Sequence, residues 1–298
     1  MDSANSNTKL SKITPKATSF HYGKDYQLEQ VEKHRDRRNN HWAQRIAIIH
    51  QLIDEYVLPR INPTSIDKQL TALDVGCSVG TMAIEMAARG FVSHGVDFDA
   101  AALELARQLA DEEQVHVTFY NNDVSDLSSV ADTEYDIILC SDIFEHLHDD
   151  ELGSLLNSLK SCLKAGGYLV FYTFPTQYDF LFYSRDFISW PLWPFKWLKI
   201  SHFDRIARAY ASIIDAMLLL TSGVTYKEKI KRHSHCNPTT PDRLMDILQR
   251  AGYDVDIMKT DNIYPFKKKI SSRFSGQRIA HRNMYGIAHL LRSEKSES

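Results

Sequence analysis

From residue 72 onward, short apolar runs alternate with stretches whose apolar residues recur every three or four positions. The runs are Ala72–Val75, one ending at Val96, Val115–Tyr120, Tyr135–Cys140 and Tyr168–Tyr172. Between them, helical periodicity spans about Met82–Arg89, Ala100–Glu112 and Asp150–Leu163. Short apolar runs fit buried strands, while recurrence near 3.6 residues fits helices with one apolar face. Strands that alternate with helices predict an α/β domain with a doubly wound, mostly parallel sheet covered on both faces. The run Lys164, Ala165, Gly166, Gly167 predicts a helix that stops at a left-handed glycine before the next strand.

The flanks read differently. Residues 1–20 are polar and form a tail, and residues 21–69 form a helical extension in which Trp42, Ile46, Ile49, Leu52, Ile53 and Val57 keep helical spacing. Residues 70–175 are the core. Beyond Phe174 the alternation breaks: Tyr178 to Phe203 crowds Phe180, Phe182, Tyr183, Phe187, Trp190, Trp193, Phe195 and Trp197 among prolines and basic residues. An aromatic-rich insertion, residues 176–238, is expected there, with a helix over it from about Phe203 to Leu220. Residues 239–292 resume the core. Thr240 is the expected N-cap and Pro241 the first residue of a helix closing near Ala251 and Gly252, before strands at about Asp254–Met258 and Met284–Leu291. Residues 293–298 form a second tail.

Composition narrows the function. Among 298 residues, 35 Lys plus Arg balance 38 Asp plus Glu, which gives no reason to expect nucleic-acid binding. Cys77, Cys140, Cys162 and Cys236 are scattered without a C-x-x-C pair, as buried thiols of a reducing, cytoplasmic compartment would be. Charges interrupt every apolar stretch before the roughly 20 residues that span a bilayer, so no membrane helix is expected.

The candidate site begins at Leu73, Asp74, Val75, Gly76, Cys77, Ser78, Val79, Gly80, Thr81, where a strand turns into a helix. Glycines let a backbone approach a ligand closely, and a helix start offers free N–H groups. Asp97 ends the second strand about twenty residues after that turn, where a carboxylate accepts ribose hydroxyls. Asp99 competes for that role, its simpler use being to cap the next helix. Asp123 follows the third strand. One acid alone reads as a solvated loop residue; acids at successive strand ends beside a glycine turn form a constellation.

The segments LDVGCSVGT, VDFD, NNDV, DIILCSDIFEHL and LKAGGYLVFYT, in this order, resemble the motifs of class I S-adenosylmethionine-dependent methyltransferases. The resemblance runs over Thr71–Phe174 and returns at Thr240–Leu291. Within that class the motif style is nearest to ubiquinone-biosynthesis-like O-methyltransferases. It implies a Rossmann-like, seven-stranded, mostly parallel sheet and S-adenosyl-L-methionine as cofactor. By the same resemblance Asp74, Gly76, Cys77 and Gly80 surround the methionine part, Asp97 the ribose, Phe98 the adenine face, Asp123 and Val124 the adenine edge, and Ser141 lines the pocket. The turn lacks the lysine of a P-loop, which argues against a nucleoside triphosphatase.

Methyl transfer to a hydroxyl needs a base beside the sulfonium. His146, just past the fourth strand, is the candidate, and its ordinary pKa suits proton transfer near neutrality. The alternative is a histidine that only caps or orients the following helix. Asp142, Glu145 and His146 form a D-x-x-E-H cluster expected on one face of a helical turn, with Glu145 or Asp142 orienting His146. The cluster resembles the E-x-x-E-H metal motif of some O-methyltransferases. Its first acid is Asp and no His stands near Phe174, so no metal ligand is assigned. His233 and His235 belong more simply to the approach to the last helix.

The insertion reads equally as a lid over an apolar acceptor, with peripheral membrane contact through 178–203, or as an ordinary hydrophobic subdomain. The cationic run Lys267, Lys268, Lys269, Arg273, Arg278, Arg282 reads as an anion-binding loop or as solvated charge. The leading expectation is methylation of a hydroxyl on a hydrophobic or lipid-linked small molecule, in a chain that also admits homo-oligomers. Two alternatives stay open: C-methylation of a prenyl diphosphate, and a non-catalytic cofactor-binding subunit.

Overall fold

The computed structural model describes residues 23–61, 69–173 apart from five positions between 125 and 131, scattered positions between 191 and 223, and 237, 239, 241–261 and 283–291. The helical extension comprises α1 (Lys24–Arg35), α2 (His41–Leu52) and a π-helical turn at Ile53–Val57. In α2 the Asn40 side chain caps the amino terminus by accepting from the Trp42 amide, and Ile46, Ile48, Ile49 and Leu52 bury its apolar face.

The core follows as β1 (Thr71–Val75), α3 (Thr81–Ala88), β2 (Val92–Asp97), α4 (Ala100–Glu112), β3 (Val117–Asn121), β4 (Tyr135–Ser141), α5 (Asp149–Cys162), β5 (Leu163–Thr173), α6 (Pro241–Arg250), β6 (Tyr253–Asp261) and β7 (Asn283–Leu290). The sheet has seven strands in the order β3-β2-β1-β4-β5-β7-β6. The first five pair in parallel, and β7 runs antiparallel between β5 and β6. Strand order reverses between β1 and β4, which opens a crevice at their carboxyl ends, the general location of ligands in such sheets.

Both faces are apolar because both are covered. One carries Leu73, Val75, Ile138, Leu155, Leu159 and Phe171, the other Ile49, Leu52, Met82, Ile137, Val170 and Ile287. Residues 137–140 of β4 are nearly inaccessible to solvent, as expected of a central strand.

Two local expectations are corrected. No glycine ends α5: the helix stops at Cys162, Leu163 turns extended at φ −88 and ψ 123, and β5 begins there. Gly166, at φ +84, lies inside β5, where pairing shifts from Tyr135–Leu163 to Ile137–Tyr168, so it accommodates a bulge. The D-x-x-E-H cluster does not share one helical turn either. Asp142 is left-handed at φ +56, and only Phe144–His146 form a 3₁₀ turn.

The aromatic insertion falls almost wholly outside the described residues, as do Thr240 and the cationic run. Described positions at 206, 209, 210, 213, 216, 217 and 219–221 are helical, with Ile213, Met217, Leu219 and Leu220 exposed. Among described residues no helix is long and apolar enough to cross a membrane.

Candidate active site

The Gly76–Gly80 turn is shaped by three left-handed residues: Gly76 at φ +70, Ser78 at φ +49 and Gly80 at φ +77. The Gly76 and Cys77 amides both donate to the Val96 carbonyl, at 2.8 and 3.0 Å, which ties the turn to β2. Ser78, the one non-glycine among the three, donates its amide to Asp97 Oδ2 at 2.8 Å. Asp97 Oδ1 accepts from the Asp99 amide at 2.9 Å, so this carboxylate holds both the turn and the entry to α4. The two glycines differ in purpose. A Cβ on Gly80 would sit 2.8 Å from Phe119 Cζ and 3.0 Å from Ala106 Cβ, behind the turn. Gly80 is therefore required by packing, and it lines neither of the cavities described next.

Two adjoining cavities occupy the crevice, of about 100 and 330 Å3. Gly76, Ser78, Tyr26, Asp142 and His146 line both and mark where they meet. The smaller is completed by Gln27, Asp97, Phe98, Asp99 and Val124, among others, and the larger by Asp74, Cys77, Thr81, Ser141, Glu145, Lys33, His41, Trp42 and Arg45. Of the residues expected at the site, Asp74, Gly76, Cys77, Asp97, Phe98, Val124, Ser141, Glu145 and His146 are thus brought together. Asp123 is exposed and lines neither cavity. Asp99 caps α4 by accepting from the Ala101 and Ala102 amides, and its other oxygen accepts from Gln27 Nε2 at 2.7 Å.

Charge at the site is governed by burial. Asp74, 4 % exposed, accepts the Ala83 amide through Oδ2, at 3.1 Å, and desolvation pushes its carboxyl up to about 8. Glu145, 1 % exposed, receives the Thr173 hydroxyl at 2.7 Å. Burial and then the neighbouring Asp142 carboxylate push its pKa well above the usual carboxylate range. Burial raises Asp142 as well, but the Arg45 guanidinium opposes that rise.

Sequence reading missed the wall that α1 and α2 build. Arg45 is buried, forms an ion pair with Asp142, and stacks its guanidinium 4.3 Å from the Trp42 ring centroid and 4.9 Å from that of Tyr172. Its helical spacing with Trp42 and Ile49 marked only a periodic helix; nothing in that spacing says that Asp142, 97 residues later, is its partner. Beside the larger cavity, Arg45 Nε, Ser141 Oγ, Asp142 Oδ1 and Glu145 Oε1 are buried without a hydrogen-bond partner among the described residues. Buried polar atoms of this kind are met by water or a ligand, and a guanidinium donor beside hydroxyl and carboxyl oxygens suits a polar, zwitterionic guest. Among described residues no group of three or more His, Cys, Asp or Glu is placed to hold a metal ion. His233 and His235 lie outside them.

Comparison with known proteins agrees with this architecture. Residues 72–167 match a family model described as a methyltransferase domain. The chain is 29% identical over 181 residues to a ubiquinone biosynthesis O-methyltransferase of Alkalilimnicola ehrlichii, spanning 58% of this chain and 70% of that one. Identity to the enzyme of that name from Acinetobacter baylyi is 32% over 120 residues, or 39% of this chain and only half of that relative. A solved Nostoc punctiforme protein, provisionally assigned as an O-methyltransferase, shares the fold at a TM-score of 0.51 with 16% identity, covering 88% of this chain and 59% of that one. Glycine turn, strand-end acid and matched domain converge: the chain is a class I S-adenosylmethionine-dependent methyltransferase related to the ubiquinone-biosynthesis O-methyltransferases.

Proposed function

We propose that this enzyme methylates a hydroxyl of a hydrophobic small molecule, with His146 as general base. The observation that carries the reading is the position of His146: it follows β4 in a 3₁₀ turn and borders both cavities, with Asp142 and Glu145 beside it. The names of the relatives point to the same class of acceptor.

The cofactor supplies a methyl group on a sulfonium, an electrophile that needs no acid activation. The chain's own residues bind and orient. Asp97, Phe98 and Val124, grouped in the smaller cavity, are the proposed adenosine contacts. Asp74, Gly76, Cys77 and Ser141, in the larger one, are the proposed contacts of the amino-acid end. His146 takes the acceptor proton, and the neighbouring Asp142 carboxylate favours the imidazolium that results. The Glu145 side chain holds the turn by accepting the Thr173 hydroxyl, and the Glu145 carbonyl accepts the Asn237 amide at 2.9 Å. The lid role of residues 178–203 remains a proposal from sequence.

The test is a mass-resolved methylation assay over phenols, quinols and prenyl diphosphates. Methyl on oxygen is the expected product. His146→Ala should lower turnover by about 10² to 10⁴ while S-adenosylhomocysteine binding persists, the range of a positioned base. Methyl on carbon, or a loss under about tenfold, would defeat the reading.

A further inference from the structure

A hydrogen-bond chain links the helical extension to the cofactor cleft through His34, which no sequence motif marks. His34, fully buried on α1, places Nε2 2.7 Å from Glu113 Oε1 and Nδ1 3.1 Å from Thr81 Oγ1. Thr81 is the first residue of α3, follows the glycine turn, and lines the larger cavity beside Asp74.

The proton positions follow from chemistry. Glu113 is an ionised acceptor, held so by Arg37, whose Nη2 lies 2.6 Å from its second oxygen, and by His34. An acceptor-only carboxylate at 2.7 Å requires the proton of His34 to sit on Nε2. Burial and the adjacent Arg37 cation disfavour a second proton, so the ring is neutral and Nδ1 is a lone pair. Arg37 Nη1 also approaches Nε2, but at 3.4 Å, a contact too long to outweigh the carboxylate. Thr81 must then donate its hydroxyl proton to Nδ1, which leaves its oxygen with only acceptor capacity.

We propose that His34 is a positioning residue for the cofactor: by fixing the Thr81 hydroxyl as an acceptor, it tunes the cleft to a cationic donor, the ammonium of the cofactor's amino-acid end. His34 touches no reacting atom and acts only through Thr81. The proposal rests on the cofactor class and not on the identity of the acceptor or on His146. Protonating His34 would reverse the polarity, because both ring nitrogens would then donate and the Thr81 proton would turn into the cleft. The charged groups facing His34 are Arg37 on its own helix, Glu113 following α4 and Glu85 on α3.

Calorimetry on the full chain tests this with two ligands, S-adenosylhomocysteine and 5′-methylthioadenosine, which lacks the amino-acid end. Thr81→Val should weaken the first about tenfold, the scale of one hydrogen bond to a charged group, and leave the second unchanged. Thr81→Ser should restore it. His34→Gln, which retains a donor for Glu113 but no acceptor for Thr81, should copy Thr81→Val, and the double variant should be no weaker than either single one. Wild-type affinity for S-adenosylhomocysteine should fall on acidification through the His34 titration, and Thr81→Val should abolish that component. Equal losses for both ligands would make the role structural and overturn the proposal. Unchanged affinity in Thr81→Val at an unaltered melting temperature, or an acid profile identical to wild type, would overturn it too. If His34→Gln fails to fold, the Thr81 pair decides alone.

Discussion

Arg45 and Asp142 form an ion pair that joins the second helix of the chain to the residue that follows β4. Arg45 is nearly inaccessible, whereas a quarter of the Asp142 side chain faces the cleft. The pair fixes the left-handed turn that carries Glu145 and His146 into the crevice.

Arg45→Met should therefore destabilise the fold by about 1–3 kcal/mol. That is less than the 3–5 kcal/mol for breaking a fully buried pair, because the orphaned Asp142 is partly solvated. Asp142→Asn, which tolerates φ +56, should keep the turn while leaving the guanidinium uncompensated. Urea unfolding measures both. Stability unchanged in Arg45→Met would show that the pair contributes only orientation.

Asp74 gives the ligand-free protein a defined pH response. Its carboxyl titrates near 8 when folded against an ordinary value of 3.8, so between those pH values the folded state binds the extra proton. Stability contributed by this group therefore falls as pH rises from about 4 to 8. Asp74→Asn retains an acceptor for the Ala83 amide and removes the titration. The variant should melt higher than wild type at pH 8, with a difference that shrinks toward pH 4. Parallel melting curves across that window would refute the assignment.

Gly80 should tolerate no side chain even though it lines neither cavity. Gly80→Ala meets both the left-handed backbone and the Phe119 ring, and a loss of about 1–3 kcal/mol is expected from strain and overpacking together. Phe119→Leu in the same chain should recover the packing part only. Chemical denaturation of the three variants separates the contributions, and an additive double variant would mean that the ring is not the obstacle.

The strand–helix alternation was legible because a sheet covered on both faces demands buried, mostly apolar strands, and Ala72–Val75 and Tyr135–Cys140 satisfy that demand with one buried acid each, Asp74 and Asp136. Asp97 was legible because the end of a strand is fixed by the pattern that precedes it. Three things were not. Gly166 looked like a helix stop, since a left-handed glycine serves a cap and a bulge equally well. Gly80 and Gly76 looked alike in the motif, but only Gly80 has Phe119 behind it. The pairs Arg45–Asp142, Gln27–Asp99 and His34–Thr81 join distant segments, and periodicity gives which face of a helix is buried without saying what it covers.

One wall of the cleft consists of residues synthesised before any strand of the sheet. Gln27 waits 72 residues for Asp99, and Arg45 must wait until β4 has emerged before Asp142 exists. Such distant closures come late, because the entropy of joining far segments precedes any contact that offsets it. A growing chain can thus pair β1 with β2 long before it owns a cofactor site, and ligand affinity becomes a stopwatch for completion. A ligand whose affinity depends on that wall as well as on the sheet would stabilise the molecules whose first helices have docked in preference to those still lacking them.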